Sequence, residues 1–301
     1  MTELSTGQWQ RLWDRTTPLL PFGDLGWTRL RRPDRIFSPV LLSGRDGPDL
    51  LVPLCLTRGR ASVIGTYGYG FVQPGDAGPA GWPGFAELAE ALCEEMDVTS
   101  VGTVLPPAGV CRDLDAAAEG WGTRPDEDTY LVRLDDGLTN VWSRIAKSHQ
   151  RNIRRAQRSG VRTLPGRRRH LPAVLELYRS TMENAGLISV YEPDDLAFLF
   201  DADRADAVVM VAEQDGEVVA AEVTAVAGRA AFYMIGTVSE RGRELGAGHL
   251  TLWAAMERLT AAGVETFDLG PSTGSGQDAY KRRWGSTVAP IRVIQFPGNS
   301  D

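Results

Sequence analysis

Lysine is almost absent from this chain. Of 32 basic residues in 301, only Lys147 and Lys281 are lysines, and the other thirty are arginine. Codon drift toward arginine in a GC-rich genome explains such a bias. It leaves lysine standing where arginine cannot substitute, because an ammonium is a compact point charge that can lose its proton and a guanidinium is neither. The two survivors are the first positions to weigh, with chance survival as the alternative. Cysteine and histidine are also scarce, at three each. Cys55, Cys93 and Cys111 have neither disulfide pairing nor metal-ligand spacing, so three free thiols in a reducing cytoplasm are expected. His149, His170 and His249 show no triad or metal spacing, and no metal or redox cofactor is implied. No apolar run reaches transmembrane length. The first residues, MTELSTGQWQ, lack the basic, apolar and small-residue pattern of a signal sequence. A cytoplasmic protein without membrane insertion is expected.

Acidic residues are missing from one stretch. The net charge is −7, yet residues 144–169 hold ten Arg or Lys and no Asp or Glu, which leaves the remainder at −17. A block of this sign inside an acidic chain reads as a docking surface for a polyanion rather than as solubility dressing.

What is present is one order of elements met twice, at an offset of roughly 160–170 residues. Apolar runs near 35–43, 49–56 and 61–66 read as strands, followed by a helix at 84–96 and strands at 98–104 and 129–134. In the second half, strands at 207–214, 217–226 and 229–237 lead to a helix at 243–262. A strand at 264–270, a short helix at 277–284 and a last strand at 287–295 follow. Asp215-Gly216 and Gly228 supply the hairpin turns. Two further helices start near Leu171-Pro172 and Glu192-Pro193, with proline where a first helical turn tolerates it. Strand meander, helix, strand, helix, strand resembles the GNAT acyltransferase fold. The expectation is an α/β protein of two GNAT-like domains in tandem, residues 1–128 and 129–301, with mixed sheets flanked by helices.

A closer resemblance lies in three motifs. LTNVWSRIAKSHQRNIRRAQRSGV (138–161) is similar to the linker helix of the Fem-type peptidyltransferases. VETFDLGPSTGSGQDAYKRRWG (264–285) resembles their G-x-x-x-[FY]-D-L-G…[FY]-K-x-x-[FW]-G ending, and TYGYGFVQPG (66–75) resembles a motif of their first domain. The resemblance implies transfer of an amino acid from aminoacyl-tRNA to an amine of a peptide-like acceptor, a cell-wall precursor or a peptide antibiotic. It makes Tyr67 and Tyr69 substrate-binding candidates. No long charged helical hairpin interrupts the second half, so the arm that cell-wall members use on tRNA is absent.

Arg144, Lys147, Arg151, Arg154 and Arg158 are spaced 3, 4, 3 and 4. At ~100° per residue on one helix they fall within an arc of about 80°. Leu138, Val141, Trp142, Ile145, Ile153 and Ala156 take the opposite face, and Gly160 ends the helix. With Arg155 beside it, this stripe suits a phosphate backbone; the alternative is a solvated face. Arg151 matches the arginine of the family's helix motif. Arg167, Arg168 and Arg169 are possible extensions.

Tyr280 and Lys281 follow a Gly/Ser-rich loop (270–278) at the end of a predicted strand, where backbone can approach a ligand closely. In the family the matching pair lies at the reacting ester. A lysine there stabilises the oxyanion formed as an amine attacks, and Tyr280 is either a core aromatic or a wall under the donor's terminal adenosine. No nucleophile is needed, since an ester is already activated. Glu222, on the central strand of the second meander, is the candidate base, and Asp268 in FDLG could orient the loop against substrate. RELGAG (243–248) also fits the R/Q-x-x-G-x-G/A phosphate loop of acetyl-CoA-binding GNAT enzymes, which makes Arg243, Gly246 and Gly248 candidates for acyl-CoA. The expected function is tRNA-dependent aminoacyl transfer with aminoacyl-tRNA as co-substrate. Acyl-CoA-dependent N-acyl transfer is the alternative.

Overall fold

A computed structural model of the chain describes residues 1–16, 18–30, 36–43, 49–57, 59–63, 69–70, 73–74, 85–118, 124–186, 191–201, 204–272 and 274–297. It divides into two compact units, Met1–Glu127 with Pro290–Asp301, and Asp128–Ala289. The sequence reading puts 290–301 with the second domain. These residues group with the first unit because 292–297 pair antiparallel with a strand at 100–105.

The first unit runs β1 (Thr2–Glu3), α1 (Thr6–Trp13), α2 (Leu25–Thr28), β2 (Ile36–Phe37), β3 (Val40–Leu42), β4 (Leu50–Val52), β5 (Leu54–Thr57), β6 (Arg60–Val63), β7 (Gln73–Pro74), α3 (Phe85–Met96), β8 (Ser100–Leu105) and α4 (Arg112–Ala117). Ser5 and Gln8 form a capping box that starts α1. Trp9 and Trp13 stack at 5.4 Å on its inner face, and the Trp9 indole donates to the Gly23 carbonyl at 2.7 Å. One sheet has the order β1-β3-β4-β7. In another, β2, β5, β6 and β8 are neighbours, with β6 and β8 parallel.

In the second unit β9 (Arg124–Arg133) leads to α5 (Leu138–Arg144), α6 (Lys147–Arg158), β10 (Arg162–Pro165), α7 (Leu171–Asn184) and α8 (Pro193–Leu196). The meander β11 (Ala207–Gln214), β12 (Glu217–Ala227) and β13 (Ala230–Val238) follows. Then come α9 (Glu240–Leu245), α10 (Ala247–Ala261), β14 (Thr266–Pro271), α11 (Ser275–Arg282) and β15 (Thr287–Pro297), which continues into the first unit. The sheet order is β10-β11-β12-β13-β14-β9. Asp215 and Gly216 both take positive φ, the backbone that a two-residue hairpin requires. Inner faces of α6 and α10 (Ile153, Ala156, Leu250, Trp253, Met256, Leu259) pack with Val132, Phe267 and Trp284 into one core.

Two local features depart from the sequence reading. The helix expected across 138–160 is broken: Ile145 is extended (ψ 130°), so α5 and α6 are separate. The Ala146 N–H donates to the Arg283 carbonyl at 2.8 Å. Gly285, at φ +73°, lies so close that a Cβ would sit 2.6 Å from that of Arg144. The Gln150 side chain donates to the Trp142 and Ile145 carbonyls, at 2.8 and 3.0 Å, replacing lost helical bonds. The helix expected across 243–262 is also interrupted, at Gly246 in the left-handed region (φ +82°).

The sheet is opened at one point. The parallel pair β13 and β14 is in register only over Ala230–Phe232 and Thr266–Asp268, and beyond Phe232 the strands part. A bulge leaves Met234 unpaired opposite β12, so Glu222 faces Gly236 across the strands.

Candidate active site

The parting of β13 from β14 makes a wedge that holds two cavities, both within the second unit. The first, of about 380 Å³, is lined by Glu222 from β12, Tyr233 and Gly236 from β13, Arg243 and Gly246 around the helix break, and Gly248, His249 and Tyr280. The second, of about 270 Å³, is lined by Tyr233, Leu252, Leu269, Gly276, Gln277, Tyr280 and Lys281. Tyr233 and Tyr280 are common to both and divide one from the other.

Glu222 is 3 % exposed, and its Oε1 has no hydrogen-bond partner among the described residues. Burial pushes its carboxyl well above the ordinary glutamate range. Its cross-strand neighbour is a glycine: a Cβ at 236 would fall on the Tyr233 hydroxyl, so that ring would have to swing away, and the Cβ would lie 3.2 Å from Glu222 Oε2.

The Tyr280 hydroxyl is raised by burial and, secondarily, by Glu222, so it stays a phenol. Lys281 is half-buried, and its ammonium donates to the Gly270 and Pro271 carbonyls at 2.9 and 2.6 Å. It lies 5.8 Å from the centre of the Tyr130 ring. Burial lowers its pKa, while Asp268 and Asp278 oppose that effect. Two of its three N–H bonds thus tie α11 to the end of β14, and the third has no partner among the described residues.

Asp268 lines neither cavity. Its carboxylate accepts from the Thr129 hydroxyl and from the Gly270 N–H at 2.8 Å, which fixes the turn that carries Lys281's carbonyl partners. Tyr69 is buried in the first unit, and Tyr67 lies outside the described residues.

The two donor readings converge on one place. Arg243, Gly246 and Gly248 line the same cavity as Glu222 and Tyr280. The expected phosphate loop is instead the junction of two helices. A Cβ on Gly246 would meet the Asn152 carbonyl at 2.6 Å, so the junction is pressed onto α6.

The cationic stripe is shorter than expected. Arg144 belongs to α5, pairs with Asp136 and donates to the Arg133 carbonyl at 2.8 Å. It therefore leaves the face, an acid eight residues upstream having been outside the acid-free window. Lys147, Arg151, Arg154, Arg155 and Arg158 are all exposed on α6. Arg154 lies over the Trp142 ring at 5.3 Å, and Arg155 donates to the Leu245 carbonyl at 3.4 Å. Lys147, Arg151 and Arg158 make no ion pair among the described residues. Arg168 pairs with Asp201 and Arg169 donates to His170, so both are engaged locally.

Sequence spacing missed a histidine pair. His149 and His249, one hundred positions apart, meet edge to face at 4.5 Å and pack with Tyr280 and Trp284. His149 Nε2 donates to the Tyr280 carbonyl at 3.1 Å, and the Asn152 amide meets His249 Nε2 at 3.3 Å. Burial, then the neighbouring His149 and Arg155, push His249 down to about 4, and burial lowers His149 as well. Both are neutral at neutral pH. Their one sequence signal is that each sits within a family-like motif, His149 in the basic helix and His249 just after RELGAG.

Residues 143–282 match the family model described as an acetyltransferase (GNAT) domain. No curated protein sequence matches the chain. Among solved structures it is similar to FemX, with TM-score 0.64, 12% identity and 97% of each chain covered. It is similar to L-PGS from Bacillus licheniformis, with TM-score 0.64, 13% identity, and 99% of this chain and 94% of that one covered. A tandem GNAT protein from the clavulanic acid biosynthesis pathway gives TM-score 0.50 at 16% identity, with 100% and 99% covered. At these identities the likeness shows the fold, which is Fem-like and of the GNAT superfamily. In class, residues 143–282 are matched to an acyl-transferring domain, an acetyltransferase by the family model.

Proposed function

We propose that the chain moves an aminoacyl group from aminoacyl-tRNA to an amine of a peptide-like acceptor. The observation that carries this reading is the exposed, acid-free face of α6. It offers five cations to a phosphate backbone, and through Arg155 it abuts the helix junction at the first cavity. Acceptor amine in the Glu222 cavity attacks the ester carbonyl, whose oxygen gathers charge beside Lys281. Collapse breaks the bond to the ribose oxygen; Glu222 accepts the amine's proton, and the departing oxygen is protonated in turn, so the products are the amide and a free ribose hydroxyl. Burial raises that carboxyl, which makes it a stronger base for the proton than an ordinary glutamate. The two cavities adjoin at the Tyr233 and Tyr280 rings, and amine and ester meeting at that shared edge would gain proximity, while the remaining Lys281 N–H supplies oxyanion stabilisation.

A second reading, acyl-CoA as donor, is favoured by Arg243, Gly246 and Gly248 lining the Glu222 cavity. One experiment separates the two. With purified protein and an amine acceptor, charged tRNA should give product and RNase should abolish it, while acetyl-CoA gives none. Reversing Lys147, Arg151 and Arg158, the three without ion pairs, should flatten the slope of log affinity for tRNA against log salt by about 2 to 3. Activity that survives RNase and needs a CoA thioester overturns the tRNA reading, and an unchanged slope reduces the stripe to a solvated face.

A further inference from the structure

The second cavity has its own chemistry. It opens between α10, β14 and α11, and its walls are Leu252, Leu269 and the Tyr233 and Tyr280 rings. Leu252 and Leu269 are 1 % and 2 % exposed, so they form its floor. Among the described residues Lys281 is the one charged side chain lining it, and Gln277 is the one amide. At about 270 Å³ it far exceeds the ~10–15 Å³ that one water needs.

We infer that this cavity receives the side chain of the transferred acyl group and selects an uncharged, apolar one larger than methyl. The inference rests on the proposed transfer at Lys281. If the ester oxygen lies against the free Lys281 N–H, the atoms next to the carbonyl are those of the acyl group, and the cavity beyond the ammonium is where its side chain goes. Amine chemistry belongs on the other side of Tyr280, with Glu222. A lysyl or arginyl side chain would bring a second cation against Lys281 in a half-buried site. A carboxylate would find a single ammonium already committed to two carbonyls and the oxyanion, and beyond it only the neutral Gln277 amide among leucine and ring faces, with no second cation to offset its burial. A glycyl or alanyl group would leave the cavity unfilled.

Gly276 provides the test. It lines the cavity, and a Cβ built there meets no described atom within 4 Å, so a leucine at this position is tolerated without displacing backbone and narrows the cavity mouth. Transfer is measured from tRNAs charged with alanine, leucine, phenylalanine, lysine or aspartate, for wild type and Gly276→Leu, with melting temperature as the folding control. A hydrophobic pocket discriminates about 10-fold or more per methylene, so wild type should prefer leucyl or phenylalanyl over alanyl by at least that factor and over lysyl and aspartyl. Gly276→Leu should lower the leucyl-to-alanyl ratio at least tenfold. Preference for a charged or methyl-sized group, or a ratio unmoved by Gly276→Leu, overturns the inference. If charged tRNA gives no product but acyl-CoA does, the donor reading has failed. An acetyl-to-hexanoyl-CoA series on the same two proteins then decides the cavity's role, and absence of side-chain discrimination with either donor overturns it.

Discussion

Lys281 serves two purposes in the structure, and replacing it separates them. Its ammonium donates to the Gly270 and Pro271 carbonyls at 2.9 and 2.6 Å. Buried charged hydrogen bonds contribute about 1.5–3 kcal/mol each. Here Pro271 is exposed and Gly270 half-buried, so water takes over much of what is lost. Lys281→Met, which keeps the stem, should therefore cost about 1–2 kcal/mol of stability, a fall of a few degrees in melting temperature for a unit of this size. The catalytic effect should be larger. Removing one oxyanion donor costs ~10²–10³ in rate, about 3–4 kcal/mol, and it appears in kcat because the ground-state ester carries no such charge. Lys281→Arg keeps the charge but is planar and larger, and should recover only part of the rate. Single-turnover transfer and thermal unfolding, run on both variants, report the two effects independently. Full activity in Lys281→Arg, or unchanged kcat in Lys281→Met beside a lowered melting temperature, would show that this lysine only fastens α11 to the strand end.

Two further outcomes follow from buried titratable groups. Burial raises Glu222, so the folded chain holds that proton more tightly than the unfolded one and stability falls as pH rises above the ordinary glutamate range. Glu222→Gln should thus gain melting temperature over wild type at pH 8 but not at pH 4, while losing the rise of kcat/KM with pH; an unchanged pH–rate profile removes Glu222 as base. His249 works in the opposite sense: at about 4 when folded against an ordinary 6.5, it makes stability rise with pH between those values, by about 3 kcal/mol at most. His249→Gln should remove that part of the slope in denaturant titrations at pH 4.5 and 7, and an unaltered slope would refute the buried, neutral assignment.

Period and turn chemistry made much of the second unit legible. The three meander strands lie within a residue or two of the spans read from alternation, because Asp215-Gly216 and Gly228 fix where each strand must stop. The two helix interruptions differ in how they could be read. The 3.6-residue pattern continues across Ile145-Ala146, and that break is bonded to the distant 283–285 turn; at Gly246 the glycine expected in a phosphate loop instead takes the left-handed conformation that ends one helix and starts the next, pressed against the Asn152 carbonyl. The site was half legible. Glu222, Tyr280 and Lys281 could be singled out by position and scarcity, whereas Tyr233, Gly236 and the histidine pair enter only through register and packing. Arg144 was misplaced because its partner, Asp136, lies just outside the acid-free window.

The clamp between Ala146 and the 283–285 turn also bears on how the chain acquires its shape. Residues 138–158 are synthesised well before 283–285, so the Ala146–Arg283 contact, which spans more than 130 residues, closes only when the far end of the chain is in place. Before then the break at Ile145 has only its local support, the Gln150 side-chain bonds to the Trp142 and Ile145 carbonyls. The direction in which Arg144 points thus depends on a segment far from it in sequence.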